Sequence, residues 1–172
     1  QFTLAVFDVP QAKEITPALE ADGAEQFYRA LFDNVERYTV SLSAVYKFEK
    51  NSQNKSFHVA RISDSCFAII FVGELKTESL EYNLLTVQEA VSTLIETSGV
   101  SISVSCDAGI VSYPTDSSEL DKLHLLAMQA MQQVAKSEQH WARYDKQTSD
   151  NMRQRFKIAA DLQKAIEDND LD

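Results

Sequence analysis

Residues 59–72 read V-A-R-I-S-D-S-C-F-A-I-I-F-V. An apolar lead-in stops at Ala60-Arg61, and Phe67 opens a second apolar run that lasts to Val72. Between them Ser63-Asp64-Ser65 supplies the residue types that turns use, so the stretch predicts a β-hairpin. Its strands are apolar on both faces, which predicts a place in the middle of a sheet. The tip, Ser-Asp-Ser-Cys, stands where a site would sit.

Composition narrows what that site could be. A chain of 172 residues, 44% hydrophobic, is long enough for one ordinary domain and should bury about 70% of its extended surface. No apolar run approaches the roughly 20 residues of a membrane span, and F-T-L-A-V-F near the N-terminus lacks the basic flank of a signal peptide. A cytoplasmic domain is the expectation. With 16 Lys+Arg against 26 Asp+Glu the net charge is −10, and the basic residues are scattered singly. Nucleic acid is therefore excluded as a partner, and an anionic membrane surface is disfavoured. Cys66 and Cys106 lie in apolar segments without a Cys-x-x-Cys pair, which reads as two reduced core thiols. They and the scattered His58, His124 and His140 lack metal-ligand spacing, so no metal site is expected.

Along the chain, residues 2–8 form a β-rich run ending on Asp8, and Pro10 and Pro17 bracket a broken segment. Phe27, Tyr28, Leu31, Phe32 and Val35 then follow a helical period, with Asp22 as its N-cap and Glu25 completing a capping box. Val40, Leu42, Ala44, Tyr46 and Phe48 alternate with mostly polar residues and predict a half-wet strand. K-N-S-Q-N-K at 50–55 turns the chain into the strand that leads to the hairpin. Residues 73–83 read as loop. Val87, Val91, Leu94 and Ile95 mark a second helix closed by Ser98-Gly99. A strand over 100–111, a third helix carrying Leu123, Leu126, Ala127, Ala130, Met131 and Val134, and a short W-A-R-Y strand complete the order. Hairpins inside an α/β alternation predict an α+β fold, a mainly antiparallel central sheet with packed helices, related to the ferredoxin-like class. With four glycines there is no Gly-rich phosphate loop. From Ser149 or Asp150 a last helix carries the stripe Met152, Phe156, Ala159, Leu162 and Ile166 before an acidic end. Residues 147–172 read as a linker following a domain over 1–146.

This series resembles the GGDEF family of diguanylate cyclases. The family hairpin runs Ala-Arg-x-Gly-Gly-Asp/Glu-Glu-Phe before an aliphatic strand; here A-R-I-S-D-S-C-F keeps Arg61 and Phe67, while Ser63, Asp64, Ser65 and Cys66 replace the four signature residues. F-D-V-P-Q-A-K is similar to the first-strand Asp-x-Asp-x-Phe-Lys, with Asp8 on the first Asp and Lys13 on the Lys. S-C-D-A-G-I-V-S-Y-P matches the family's later strand at Gly109, Tyr113 and Pro114. Lys136 keeps the Lys of the third-helix exit, and His140 stands in place of its Arg. The resemblance covers roughly 2–145. The tail, R-Q-R-F-K-I-A-A-D-L-Q-K-A-I-E-D-N-D-L, resembles the helix that opens EAL phosphodiesterase domains. A tandem GGDEF–EAL parent is implied, continuing upstream as well, because the family's N-terminal helix is missing.

What the resemblance implies about chemistry is mostly loss. The family's cyclases join two GTP molecules, a phosphoryl transfer that rests on positioning and on charge neutralisation by divalent metal. Carboxylates come from the first strand and from signature positions three and four, which are Ser65 and Cys66 here; Mg²⁺ prefers hard anionic oxygens. Only Asp8 remains, and Mg²⁺ at Asp8 is not expected. Asp64 would oppose a phosphate charge by roughly 4 kcal/mol at about 4 Å and an effective dielectric near 20, before screening. The guanine-reading positions fall near Thr16 and Glu25, and the family's product-inhibition Arg-x-x-Asp falls on Asn54–Phe57, where it is absent.

The implied function is a catalytically inactive GGDEF-like regulatory module, with no cofactor, that controls an adjoining EAL domain through its interface and through Met152, Phe156, Leu162 and Ile166. A homodimer is compatible with this. The alternatives are residual GTP binding or weak cyclase activity through Asp8, Lys136 and the hairpin backbone, and a docking domain with no nucleotide connection. Read without the resemblance, Asp8 caps a strand end and Lys136 is a solvated helix residue.

Overall fold

The central strand is β1 (Phe2–Asp8), and the fold is organised around it. In the computed structural model, which describes residues 1–50 and 55–168, β1 pairs antiparallel on one side with β5 (Cys66–Val72) and on the other with β8 (Asp107–Tyr113). β4 (Ala60–Arg61) lies outside β5, and β9 (Trp141–Arg143) lies parallel to β8, giving the order β4-β5-β1-β8-β9. Two small antiparallel ribbons flank this sheet: β2 (Phe48–Lys50) with β3 (Lys55–Phe57), and β6 (Ile95–Thr97) with β7 (Val100–Ile102). The expected α+β fold with a mainly antiparallel sheet is present.

Both faces of the sheet are covered because side chains of β1 alternate between two cores. Ala5, Phe7 and Val9 point to the face covered by α2 (Ala21–Thr39) and α3 (Thr77–Ser92), where Phe27, Leu31, Val35, Leu80, Leu84 and Val87 are buried. Val6 points to the other face, where α4 (Leu123–Met131) contributes Leu123 and Ala127. Gly109 on β8 permits a close approach of α4: a Cβ there would lie 1.8 Å from the Ala127 carbonyl oxygen.

Several expectations fail in physically informative ways. The 59–72 hairpin forms, with Ala60 opposite Ala68 and Arg61 opposite Phe67, but it lies at the sheet edge, because among the described residues β4 has no partner beyond it. Residues 40–47 are not a strand: α2 continues to Thr39, whose buried hydroxyl bonds the Val35 carbonyl. Val45 makes only an isolated bridge to Phe71, and Ala44 takes φ 63°. The strand starts at Phe48, and most of the expected turn at 50–55 lies outside the described residues. Asp22 does not cap α2; Glu20 holds that position without a side-chain cap bond, and Glu25 pairs with Arg29 instead. The segment expected to be broken between Pro10 and Pro17 is instead α1 (Ala12–Ala18), which includes Pro17 in its last turn. α3 begins at Thr77 rather than after Asn83, because Asn83 is itself buried on its inner face. Ser98-Gly99 turns the β6–β7 ribbon rather than ending a helix: both residues have positive φ, 51° and 75°, as a type I′ hairpin turn requires. Leu94 and Ile95 therefore leave the helix, and the strand expected over 100–111 divides into β7 and β8. α4 stops at Met131, and Val134 belongs to a separate 3₁₀ turn, Val134–Lys136.

The last helix, α5 (Lys146–Glu167), is capped by Asp145 rather than by Ser149 or Asp150. The Asp145 side chain accepts from the Thr148 hydroxyl and the Gln147 N–H, which hold its carboxyl below the usual range. Ser149 is the buried residue of α5, and its hydroxyl donates to Gln129 of α4 at 2.9 Å. Beyond it Phe156, Leu162 and Ile166 are 69%, 52% and 50% exposed. The acidic end beyond residue 168 lies outside the described residues. Among those described, no helix is long and apolar enough to cross a membrane.

Candidate functional site

Two neighbouring features occupy the hairpin end of the sheet. The first is the row made by the strand ends. Asp8 stands in register between Cys66 on β5 and Asp107 on β8, and the Val9 N–H donates to the Ser65 carbonyl at 2.8 Å, which ties the hairpin tip to β1. Asp107 faces His140 at 3.0 Å. Burial first, and the Asp8 carboxylate second, push the Cys66 thiol up to about 11. Burial, Asp107 and Asp8, in that order, push Cys106 up to about 12. Both thiols are expected to stay protonated at pH 8. For Cys66, a rise from 9.0 to about 11 means about a hundredfold less thiolate than an ordinary cysteine. Iodoacetamide labelling of the native chain should be slow at both sites and become rapid in denaturant; rapid native labelling would contradict the burial.

The second feature is a cleft of about 570 Å³ between α2 and the hairpin, whose lining includes Thr16, Glu25, Tyr28, Phe32, Arg61 and Asp64. Arg61 lies over the Phe32 ring, 4.7 Å from its centroid, and pairs with the Asp64 carboxylate. Its Nε also donates to the Ser63 carbonyl at 3.3 Å. Thr16 and Tyr28 share a hydroxyl–hydroxyl bond of 2.7 Å. Glu25 holds Arg29 at 2.7 Å. Glu36, on the cleft wall, accepts the backbone N–H groups of His58 at 2.9 Å and Val59 at 2.8 Å, and contacts His58 Nδ1 at 3.2 Å. This carboxylate fastens the strand entering the hairpin to α2. Most polar groups of the lining are thus committed to one another.

The candidate residues separate accordingly. Thr16, Glu25, Arg61 and Asp64 come together in the cleft, while Asp8 and Cys66 belong to the strand-end row and do not line it. Ser63 and Asp64 are exposed, Ser65 is half-buried and Phe67 is a core residue stacked on Phe7 at 4.9 Å. Lys136 lies in the 3₁₀ turn after α4; its side chain is outside the described set. Among the described residues no three His, Cys, Asp or Glu side chains are grouped to hold a metal ion. Sequence reasoning missed Tyr28, Phe32 and Glu36 as cleft residues. Their signal was present, since positions 25, 28, 29, 32 and 36 follow i, i+3/i+4 spacing along one helix face.

No family model matches the sequence, and no curated protein matches it. Solved structures do. An EAL/GGDEF domain protein from M. capsulatus superposes with a TM-score of 0.66 at 18% identity, over 84% of each chain. The fold is that of the GGDEF domains. The GGDEF domain of DgcB from Caulobacter crescentus, solved in complex with c-di-GMP, matches at TM-score 0.62 and 15% identity over 83% of this chain and 77% of that one. The active GGEEF domain of a diguanylate cyclase from Vibrio cholerae matches at 0.60 and 10% identity, over 84% and 83%. Within the GGDEF fold, Gly109 is accounted for by the packing of α4, independently of any ligand.

Proposed function

We propose that this chain is a non-catalytic GGDEF-like module of a cyclic di-GMP signalling protein, cytoplasmic, acting on an adjoining EAL domain. The observation that carries the reading is the hairpin tip. Ser65 and Cys66 stand where the family resemblance puts metal-binding carboxylates, and Cys66 is a buried, protonated thiol. A hard divalent cation gains little from a hydroxyl and a neutral thiol. The cleft adds to this. Glu25, Asp33, Glu36 and Asp64 against Arg29 and Arg61 give four negative and two positive charges, a poor surface for a triphosphate, and Asp64 already occupies the Arg61 guanidinium.

The EAL connection is supported by the resemblance of 153–171 to an EAL-opening helix and by the M. capsulatus relative, whose name joins both domains. In this reading α5 carries the state of the core to the EAL domain. The runner-up, residual GTP binding, draws on the size of the cleft, about 570 Å³, with Thr16 and Glu25 in it.

Incubation with GTP and Mg²⁺ or Mn²⁺ decides between them. No cyclic di-GMP is expected by mass-resolved chromatography, and no Mg²⁺-dependent GTP binding by calorimetry. Product above a protein-free blank, abolished by Asp8→Ala, would overturn the reading. Binding without turnover would establish the runner-up.

A further inference from the structure

We infer that α5 pairs with α5 of a second copy of this chain, antiparallel, across a two-fold axis at Ala159. The stripe Met152, Phe156, Ala159, Leu162 and Ile166 is spaced 4, 3, 3 and 4 along the sequence, so it is symmetric about its central residue. On a helix of 3.6 residues per turn these positions fall within about 120° of arc. Phe156, Leu162 and Ile166 are at least half exposed, and Ala159 is exposed as well. Turning one such helix end for end onto another sets Met152 against the second copy's Ile166, Phe156 against its Leu162, and Ala159 against Ala159. The small residue then sits where the backbones come closest. A self-complementary patch of this kind defines a closed two-fold contact.

Charge selects the antiparallel direction. Arg153 lies on the N-terminal side of Ala159 and Glu167 on its C-terminal side. Arg153 and Glu167 are two heptads apart, so they share one flank of the stripe. In the antiparallel pair each copy's Arg153 faces the other's Glu167, twice by symmetry. In a parallel pair the two copies' Arg155, which lies within the arc of the stripe beside Met152 and Phe156, meet at one level and repel, whereas in the antiparallel pair each faces the other's Gln163. Beside the stripe a groove of about 200 Å³ between α4 and α5, lined by Gln129, Gln132, Ser149, Met152, Arg153 and Phe156, has room for the incoming Ile166. The cleft near the hairpin is no competing seat for the chain's own α5, because α5 leaves from α4, across the sheet from α2.

Analytical ultracentrifugation of this chain tests the pairing. A species of twice 19.3 kDa is expected, with a dissociation constant on the order of 10 µM. Ala159→Arg should leave a monomer with an unchanged circular dichroism spectrum and melt. Arg153→Glu and Glu167→Arg should each weaken the dimer about tenfold, and the double swap should recover it to within about twofold. Direction is read by disulfide trapping: Met152→Cys chains mixed with Ile166→Cys chains should cross-link, and Met152→Cys alone should not. A chain that stays monomeric at on the order of 100 µM, a dimer indifferent to Ala159→Arg, or self-cross-linking of Met152→Cys would overturn the inference.

Discussion

Gly109→Ala is expected to lower the melting temperature by about 6–12 °C through a clash between one added methyl group and a neighbouring helix. The added Cβ would lie 1.8 Å from the Ala127 carbonyl oxygen, 2.8 Å from its carbon and 3.0 Å from the Met131 nitrogen. All three are backbone atoms of α4, so no side-chain rotation relieves the clash. The helix must lift off β8, and Leu123 and Ala127 with it, opening the core on that face. Overpacking of this kind costs about 3 kcal/mol or more, and in a domain of this size each kcal/mol moves the midpoint by about 2–4 °C. Gly73 supplies the control. It has φ +85° and open space around its would-be Cβ, so Gly73→Ala carries only the left-handed backbone penalty of about 1–2 kcal/mol. Equal melts for the two variants would show that the α4 contact is not what requires Gly109.

Glu36→Ala is expected to cost nearly as much, about 3 kcal/mol by urea denaturation, through a different route. The carboxylate accepts two consecutive backbone N–H groups, those of His58 and Val59, and hydrogen bonds to a charged acceptor are worth about 1.5–3 kcal/mol each before relaxation lets water substitute. Glu36→Gln keeps one acceptor oxygen and should recover about half of the loss. Hydrogen exchange gives the local signature: the amides of His58 and Val59 should lose protection in Glu36→Ala while those of β1 keep it. Uniform loss across the sheet would assign Glu36 to global packing rather than to fastening the hairpin.

The fold was legible where local pattern and burial agree. β1, the 59–72 hairpin and the helix through Phe27, Leu31 and Val35 each show one periodicity, and each forms. It was illegible where a polar residue is buried or an apolar one is exposed. Asn83, 3% exposed on the inner face of α3, made the start of that helix look like loop. Tyr46, 47% exposed, belongs to an alternation that does not keep one face inward: Leu42 is buried while Val40 and Tyr46 are exposed. Ser98-Gly99 is a turn signal at a helix end and in a ribbon alike, and only the positive φ of both residues separates the two. Of the site, the hairpin tip was readable because its residues are contiguous. The cleft was not, because Glu36 reaches His58 and Val59 across 22 and 23 residues.

The central position of β1 also dictates an order of events during synthesis. Its first partner, β5, begins at Cys66 and its second, β8, ends at Tyr113. The strand made first therefore acquires its second neighbour only after the chain has grown from Asp8 to Tyr113, 113 − 8 = 105 residues later. At on the order of 5–20 residues per second, that is a wait of roughly 5–20 s. Until β5 is made, Ala5, Val6 and Phe7, all inaccessible in the finished domain, have neither neighbouring strand, and from Val72 to Tyr113 they have only one. Pairings this distant in sequence make folding slow, so the nascent chain passes through a long-lived stage in which the α2–α3 side of the sheet can assemble on β1 and β5 before the α4 side exists.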